Sequence, residues 1–219
     1  MTFDFMPDVV EFAPILLKGA FITVQVTLAS LILSTVLGFG WALMRVSRFR
    51  LLAGFAKGAV NIIRGIPILV ILFYAYFVLP ELGIQLSAFQ AGTVGLGLAY
   101  SAYMAEVFRS GIEAVDPGQI EAAQSIGMKR GMIMLRVIAP QAFKISLPPY
   151  GNTLIMLLKD SSQTSTITIA ELTLQTKLIA ASSFKNLTVF SMGAIGYLIL
   201  SIPLIILVSK LEKKMGRKK

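Results

Sequence analysis

Two long apolar runs constrain this chain more than any other feature of its sequence. They extend from Ala20 to Met44 and from Leu187 to Val208, and each matches the roughly 20 residues that a helix needs to cross a bilayer. Mean hydropathy is +0.78 and only 14% of the residues are charged, which is far from the range of soluble domains. The sequence therefore predicts an all-α, polytopic membrane protein with a single membrane domain over residues 1–219.

The apolar segments predict about five transmembrane helices that follow an external N-terminal segment at 1–18. Pro67 is expected to kink the second span. Pro148 and Pro149 predict a broken fourth helix that faces the bundle interior, because irregular backbone in a membrane is tolerated only inside protein or beside water. The polar stretch at 161–166 allows either an ordinary outer loop or a shallow re-entrant element. The other four spans are expected at about 20–44, 58–80, 88–110 and 187–209.

Positive charge is distributed unevenly along the chain. The formal net charge is +9, from 20 Lys and Arg residues against 11 Asp and Glu residues. Most of the basic residues lie in the segments 45–64 and 109–144 and in the tail 210–219. The positive-inside rule makes these segments cytoplasmic and places the N-terminus outside. This arrangement accounts for the charge without a nucleic acid partner.

The chain contains no cysteine and no histidine. Without these residues, disulfides, thiolate metal sites, and Ser-His-Asp or Cys-His catalysis are excluded. The phosphate-binding pattern Gly-x-x-x-x-Gly-Lys-Ser/Thr does not occur either. We therefore expect no catalytic residue, no metal site and no cofactor bound by this chain itself.

Residues 111–143 predict a cytoplasmic helix-turn-helix. Gly127 can adopt the left-handed conformation that ends a first helix, and a second helix is expected from Lys129 until Pro140 stops it. Taken alone, this hairpin could be a surface element that merely connects two spans. Three residues suit the start of its first helix: Asp116 as the N-cap, Pro117 at the first helical position, and Gln119 as part of an approximate capping box.

The hairpin resembles the signature loop of ABC importer permeases, in which a short helix docks into the ATP-binding subunit. The resemblance rests on Glu121, Ala122, Ala123 and Gly127, followed by the Ile-Ala-Pro ending at 138–140. Ten residues separate Gly127 from this ending where the family pattern has nine, and alanine replaces the leucine of that pattern. The ending therefore departs slightly from the usual form.

Further segments resemble the polar amino acid branch of this family, so that the resemblance covers nearly the whole chain. Ile66 replaces a threonine within the first of them. Their order and spacing, more than any single motif, identify the chain as a member of the family. The segments are 64–69, 101–106, 109–112 and 115–119.

The resemblance implies a permease subunit of an importer for amino acids in the bacterial inner membrane. ATP and Mg²⁺ would be bound by a partner ATPase dimer, and the other implied partners are a second permease, identical or homologous, an extracytoplasmic substrate-binding protein and membrane lipid. The implied coupling residues are Asp116, Pro117, Glu121, Ala122, Ala123 and Gly127. Together with the expected break in the fourth helix, the resemblance places Tyr150, Asn152 and Thr153 on the substrate path.

Several alternatives remain open on the sequence alone. The three path residues could simply satisfy a kinked helix, although an uncharged Thr153 favours a neutral or zwitterionic substrate. The same machinery could import an amino-acid-like compatible solute such as ectoine, or an opine. A proton-coupled secondary transporter would usually carry inverted repeats and membrane-embedded carboxylates. A non-transporting membrane scaffold would use the hairpin only to dock a partner.

Overall fold

A computed structural model describes residues 5–216, and this part of the chain is almost entirely helical. Short π-helical segments follow α3 at Tyr74–Val78 and α6 at Met134–Ile138, and 3-10 helices lie at Leu79–Leu82 and Ser161–Ile167. The α-helices are α1 (Phe5–Arg45), α2 (Arg50–Gly65), α3 (Ile68–Phe73), α4 (Ala88–Glu113), α5 (Pro117–Ser125), α6 (Arg130–Ile133), α7 (Ala139–Asp160), α8 (Leu172–Ser183) and α9 (Asn186–Gly216).

Two helices within residues 5–216 are long and apolar enough to cross a membrane, at Pro7–Arg45 and Asn186–Met215. The bent pair α2 and α3 adds a third if it counts as one span. The predicted all-α membrane fold is therefore confirmed, whereas the count of five spans stays a prediction. Residues 5–18 continue α1 as one helix, with Phe12 and Leu16 buried, and residues 1–4 lie outside the described part.

The second predicted span is broken at its proline. Helix α2 ends at Gly65 and α3 starts at Ile68, with an angle of 96° between α2 and the segment Ile68–Leu82. Ile66 is extended, at φ −95° and ψ 130°, as expected for a residue whose following proline disfavours the helical conformation. The expected bend at Pro67 is confirmed, and a single bent span over 58–80 stays a prediction.

The predicted break in the fourth helix is wrong, because α7 runs without interruption through Pro148 and Pro149. In membrane helices, neighbouring helices and hydroxyl side chains can satisfy the backbone groups that proline frees. The carbonyls that lose their donors to Pro148 and Pro149 are those of Lys144 and Ile145, one turn earlier, whereas the Thr153 hydroxyl donates to the Pro149 carbonyl at 2.8 Å. Pro140 does not stop a helix either, since the chain is helical from Arg130 to Asp160 with a π-helical segment at Met134–Ile138 just before the proline. Local π-helical adjustment is one way in which a membrane helix accommodates proline.

The segment between α7 and α8 is built into the helical bundle. Ser161, Thr164 and Ile167 of its 3-10 helix are fully buried, which favours the re-entrant alternative over an ordinary outer loop. Glu171 follows as the N-cap of α8 and is also fully buried. Its carboxylate accepts hydrogen bonds from the backbone N–H groups of Thr173 and Leu174, both at 2.9 Å, from the Tyr197 hydroxyl at 2.7 Å and from the Thr23 hydroxyl at 3.4 Å.

Helices α1 and α4 form the most extensive helix–helix contact among residues 5–216. A Cβ atom added at Gly38 of α1 would lie 2.5 Å from the Met104 Cβ and 2.9 Å from the Ser101 carbonyl oxygen of α4. A Cβ added at Gly97 of α4 would lie 2.6 Å from the Leu33 side chain of α1. Because lipid is as apolar as the side chains, helices in membranes gain stability from this close approach at small residues.

We expect Gly38→Ala to destabilise the protein by about 1–3 kcal/mol, since overpacking forces the backbones of α1 and α4 apart. Gly40→Ala is the matched control, because a Cβ there has no neighbour within 4 Å, and it should be neutral or slightly stabilising. Thermal unfolding in one detergent measures both variants. Equal midpoints for Gly38→Ala and Gly40→Ala would show that the close approach contributes nothing to stability.

Candidate functional site

The hairpin that follows α4 starts with a capped helix. The Asp116 carboxylate accepts a hydrogen bond from the Gly118 N–H at 2.7 Å, and Pro117 occupies the first helical position. The N-cap prediction is therefore confirmed. The capping role predicted for Gln119 is wrong, because its side-chain oxygen instead accepts from the Gln141 amide at 2.6 Å, which joins α5 to α7.

Helix α5 ends at a glycine in the left-handed conformation, as predicted. Gly127 has φ +80°, which is disfavoured for residues that carry a Cβ. The Gly127 N–H bonds to the Gln124 carbonyl at 2.9 Å, and the Met128 N–H bonds to the Ala123 carbonyl at 3.1 Å. These two bonds form a Schellman motif. They fix the direction in which the chain leaves α5.

The hairpin encloses a small apolar core of its own and presents several α5 side chains to solvent. Its core holds α5 against the region where α6 meets α7, and Ala123 belongs to it with 6% exposure. Glu121, Ala122 and Gly127 are exposed, and Ile126 is 78% exposed. Of the residues predicted for coupling, Ala123 therefore supports the hairpin from inside while the others lie on its surface. The buried core residues are Val115, Ala123, Ile133, Ile138 and Ala142.

A charged cluster lies at the end of α4 from which the hairpin begins. Arg109 pairs with Glu106 at 2.9 Å, three residues earlier on the same helix. Arg45 from α1 also pairs with the Glu106 carboxylate, and Arg64 from α2 approaches it at 3.3 Å. Arg109 further pairs with Glu113 one turn later. Sequence reasoning missed the roles of Arg45 and Arg64, because each lies more than 40 residues from Glu106 and no local spacing connects them.

Beside the hairpin, residues of α1, α4 and α7, together with α6 and the π-helical segment that follows it, line a groove of about 950 Å³. Most of its lining is apolar, and it includes the aromatic rings of Phe39, Phe108 and Phe143. The Tyr150 hydroxyl lies 2.9 Å from the Thr35 hydroxyl, and both residues line the groove. The groove thus has an apolar wall with a pair of hydrogen-bonded hydroxyls. Because the Thr35 hydroxyl donates to the Leu31 carbonyl at 2.7 Å, the Tyr150 hydroxyl is the donor within the pair, and both oxygens can still accept.

The three residues predicted for the substrate path are not brought together in this groove. Tyr150 lines it, whereas Asn152 is exposed and donates to Glu212 of α9 at 3.2 Å. Thr153 is buried and bonds back to its own helix. The continuity of α7 explains the position of Asn152, since residues two positions apart on a helix point in nearly opposite directions.

Over residues 12–217, the chain matches the family described as the binding-protein-dependent transport system inner membrane component. The chain belongs to this family. Because the match covers nearly the whole chain, it includes the hairpin, the charged cluster and the groove together.

Individual relatives agree with this membership. The permease is 41% identical over 201 residues to the probable glutamine ABC transporter permease protein GlnM of Bacillus subtilis, covering 92% of this chain and 93% of GlnM. It is 38% identical to the probable amino-acid ABC transporter permease protein YckA of the same organism, with 94% and 91% covered. A crystal structure of an amino acid ABC transporter superposes with a TM-score of 0.91 at 36% identity, covering 98% of this chain and 100% of that chain.

Family membership fixes the kind of protein. The permease is a membrane subunit of an ABC importer in the bacterial inner membrane, and it is not an enzyme, because a separate ATPase subunit hydrolyses ATP. Its family carries no cofactor of its own. The alternatives of a proton-coupled secondary transporter and of a non-transporting scaffold are thereby set aside.

We expect Gly127→Ala to loosen the hairpin of the permease, because a Cβ in the left-handed region costs about 1–2 kcal/mol. Amide hydrogen exchange over 117–128 should speed up by roughly five- to thirty-fold, which corresponds to that free energy. Gly131→Ala is the control: Gly131 has no neighbour within 4 Å of an added Cβ and no positive φ. Equal exchange in both variants would contradict the role given to Gly127.

Proposed function

We propose that the permease imports an amino acid. Support comes from relatives that are named as permeases for glutamine, L-cystine, arginine and glutamate. These relatives are between 32% and 41% identical to the permease. Because their substrates differ in charge, the proposal extends to amino acids as a class and leaves the individual compound to experiment.

We further propose that the hairpin couples this transport to ATP hydrolysis. The observation that carries the proposal is the rigid, exposed α5 of a chain whose family depends on a separate ATPase. In this assignment Glu121, Ala122 and Gly127 contact the ATPase, Ala123 supports them from the hairpin core, and Asp116 and Pro117 fix where α5 starts. ATP and Mg²⁺ are then bound by a dimer of that partner, as is usual where a transporter subunit lacks a phosphate-binding loop.

The proposed arrangement includes further partners and an orientation. A second permease, identical or homologous, completes the translocation path, and an extracytoplasmic binding protein delivers the substrate. The basic residues in 45–64, 109–144 and 210–219 favour a cytoplasmic hairpin and C-terminus with the N-terminus outside. The described part of the basic tail continues α9 to Gly216, and 217–219 lie beyond it.

We assign the groove to the substrate path through Tyr150. Its hydroxyl, which donates to that of Thr35, adds two acceptor oxygens to a wall that is otherwise mostly apolar. Binding sites for small molecules commonly combine apolar walls with a few placed polar groups. Asn152 and Thr153 remain path candidates for the assembled transporter, with Asn152 at the contact between α7 and α9.

Glu121→Lys should abolish most of the stimulation of ATP hydrolysis by ligand-loaded binding protein. A reversed charge at a docking surface weakens the contact with its partner, and we expect a loss of roughly tenfold or more. The assay uses the complete complex in proteoliposomes, with glutamine, arginine, glutamate and L-cystine tested in turn. Glu81→Lys is the matched control, because Glu81 is equally exposed in the 3-10 helix after α3.

The coupling assignment fails if Glu121→Lys and Glu81→Lys retain the same stimulation as the native complex. The amino acid assignment has a separate readout in the same assay. It fails if none of the amino acids stimulates ATP hydrolysis while another compound carried by the same binding protein does.

Tyr150→Phe should lower the rate of substrate uptake by roughly two- to tenfold, which is the effect expected from losing one hydrogen bond. Tyr76→Phe is the control, because the Tyr76 hydroxyl makes a similar contact with Thr168 at 3.3 Å but does not line the groove. Uptake of radiolabelled substrate into proteoliposomes measures both. Equal rates for the two variants would place the substrate path elsewhere.

A further inference from the structure

Helix α2 has a buried face that attaches it to the rest of the bundle. Ala56 and Val60 are both fully buried. Val60 packs with Ala102 and Ala105 of α4, with the Trp41 side chain of α1 beside them. This contact fixes how α2 is rotated about its axis, and so determines which residues its two remaining faces present.

The second face of α2 is apolar and exposed. Leu51 is 91% exposed, Phe55 65% and Ile62 66%. At 100° per residue these three side chains fall within about 40° of one another around the helix. Large apolar side chains gathered on one surface in this way mark an interaction site or a membrane contact.

The third face is basic. Arg50, Lys57, Asn61 and Arg64 fall within about 60° of one another around the helix, and all four are exposed. Arg64 reaches the Glu106 carboxylate, whereas neither Arg50 nor Lys57 makes a salt bridge to any carboxylate of residues 5–216. Two cations thus lie beside the exposed apolar face without an internal counter-charge.

The bend at Gly65 and Pro67 determines how the faces of α2 are oriented relative to the membrane. Because α2 makes an angle of 96° with the following segment, α2 lies along the membrane surface if that segment crosses the membrane. A basic face next to an apolar face is the pattern of helices that lie in the bilayer interface. There, the apolar residues contact acyl chains while the cations meet the negative headgroups.

We propose that α2 is an interfacial helix that binds anionic phospholipid, with Arg50 and Lys57 on the headgroup phosphates and Leu51, Phe55 and Ile62 among the acyl chains. The argument for lipid over a protein partner is charge complementarity, since a phosphate above an acyl chain matches cations beside an apolar face. The inference rests on the proposed function only for its assignment to the cytoplasmic leaflet. It does not depend on the coupling hairpin or on the substrate.

The first test measures lipid selectivity with the complete complex in phosphatidylcholine vesicles. Spin-labelled phosphatidylglycerol and spin-labelled phosphatidylcholine are compared by the fraction of each that the protein immobilises. We expect the association of phosphatidylglycerol relative to phosphatidylcholine to fall about three-fold or more in the double variant Arg50→Gln/Lys57→Gln, since each cation near a membrane surface contributes to attraction of anionic lipid. Added salt should reduce the native selectivity toward that of the variant.

The matched control is Lys18→Gln/Lys159→Gln, which removes the same charge from exposed residues of α1 and α7. Unchanged selectivity in this control together with a loss in the α2 variant supports the site. Equal losses in both double variants would reduce the effect to net charge and overturn the proposal. Unchanged selectivity in the α2 variant would overturn it as well.

The second test locates the apolar face. The chain has no cysteine, so Leu51→Cys and Lys57→Cys can each carry a nitroxide label, with the labelled native complex as the background. The label at 51 should collide more with oxygen than with a water-soluble nickel chelate, and the label at 57 should show the reverse. Greater nickel access at 51, or access to neither reagent because a second permease covers it, would overturn the proposal while leaving the ATPase assays unaffected.

Discussion

The close approach of α1 to α4 is the constraint on which the rest of the bundle depends. In lipid, apolar side chains gain little by turning inward, so helices associate where small residues let their backbones meet. Gly38 lies against Ser101 and Met104, and Gly97 lies against Leu33. This register brings the C-terminal end of α1 beside the end of α4, which is where both the charged cluster and the hairpin begin.

The charged cluster connects three helices at the point where α1 and α4 end. Arg45, Arg64 and Arg109 all reach Glu106. One carboxylate therefore connects the C-terminal ends of α1, α2 and α4. Partly exposed ion pairs contribute little to the free energy of unfolding, and the importance of this cluster lies in its position. Any displacement of α4 by the hairpin either carries the two arginines of α1 and α2 with it or separates them from Glu106.

Local sequence signals predicted the bounds of the first hairpin helix well because its geometry is local. The bounds of α5 follow from the cap at Asp116 and the left-handed Gly127, and both act within a few residues. The effect of the prolines was harder to predict, because proline separates two helices at Pro67 but is accommodated within α7 at Pro148 and Pro149. What separates the two cases is which neighbouring groups satisfy the freed backbone, and tertiary packing decides that. The groove and the cluster around Glu106 depend on contacts between distant helices for the same reason.

The residues that line the groove differ from those on which the sequence-based inference about substrate charge depended. An uncharged Thr153 favoured a neutral substrate only as long as that residue faced the path, but its hydroxyl bonds to the Pro149 carbonyl within α7. The polar groups that do line the groove include the hydroxyls of Thr35 and Tyr150. The Thr35 proton is donated to the Leu31 carbonyl and the Tyr150 proton to Thr35, so the pair can accept from an ammonium group, and Tyr150 can donate to a carboxylate only by turning away from Thr35. Neither hydroxyl is charged, so the pair favours no particular net charge. Selection by side-chain charge then depends on groups outside this pair, as is the case if a binding protein makes the first choice.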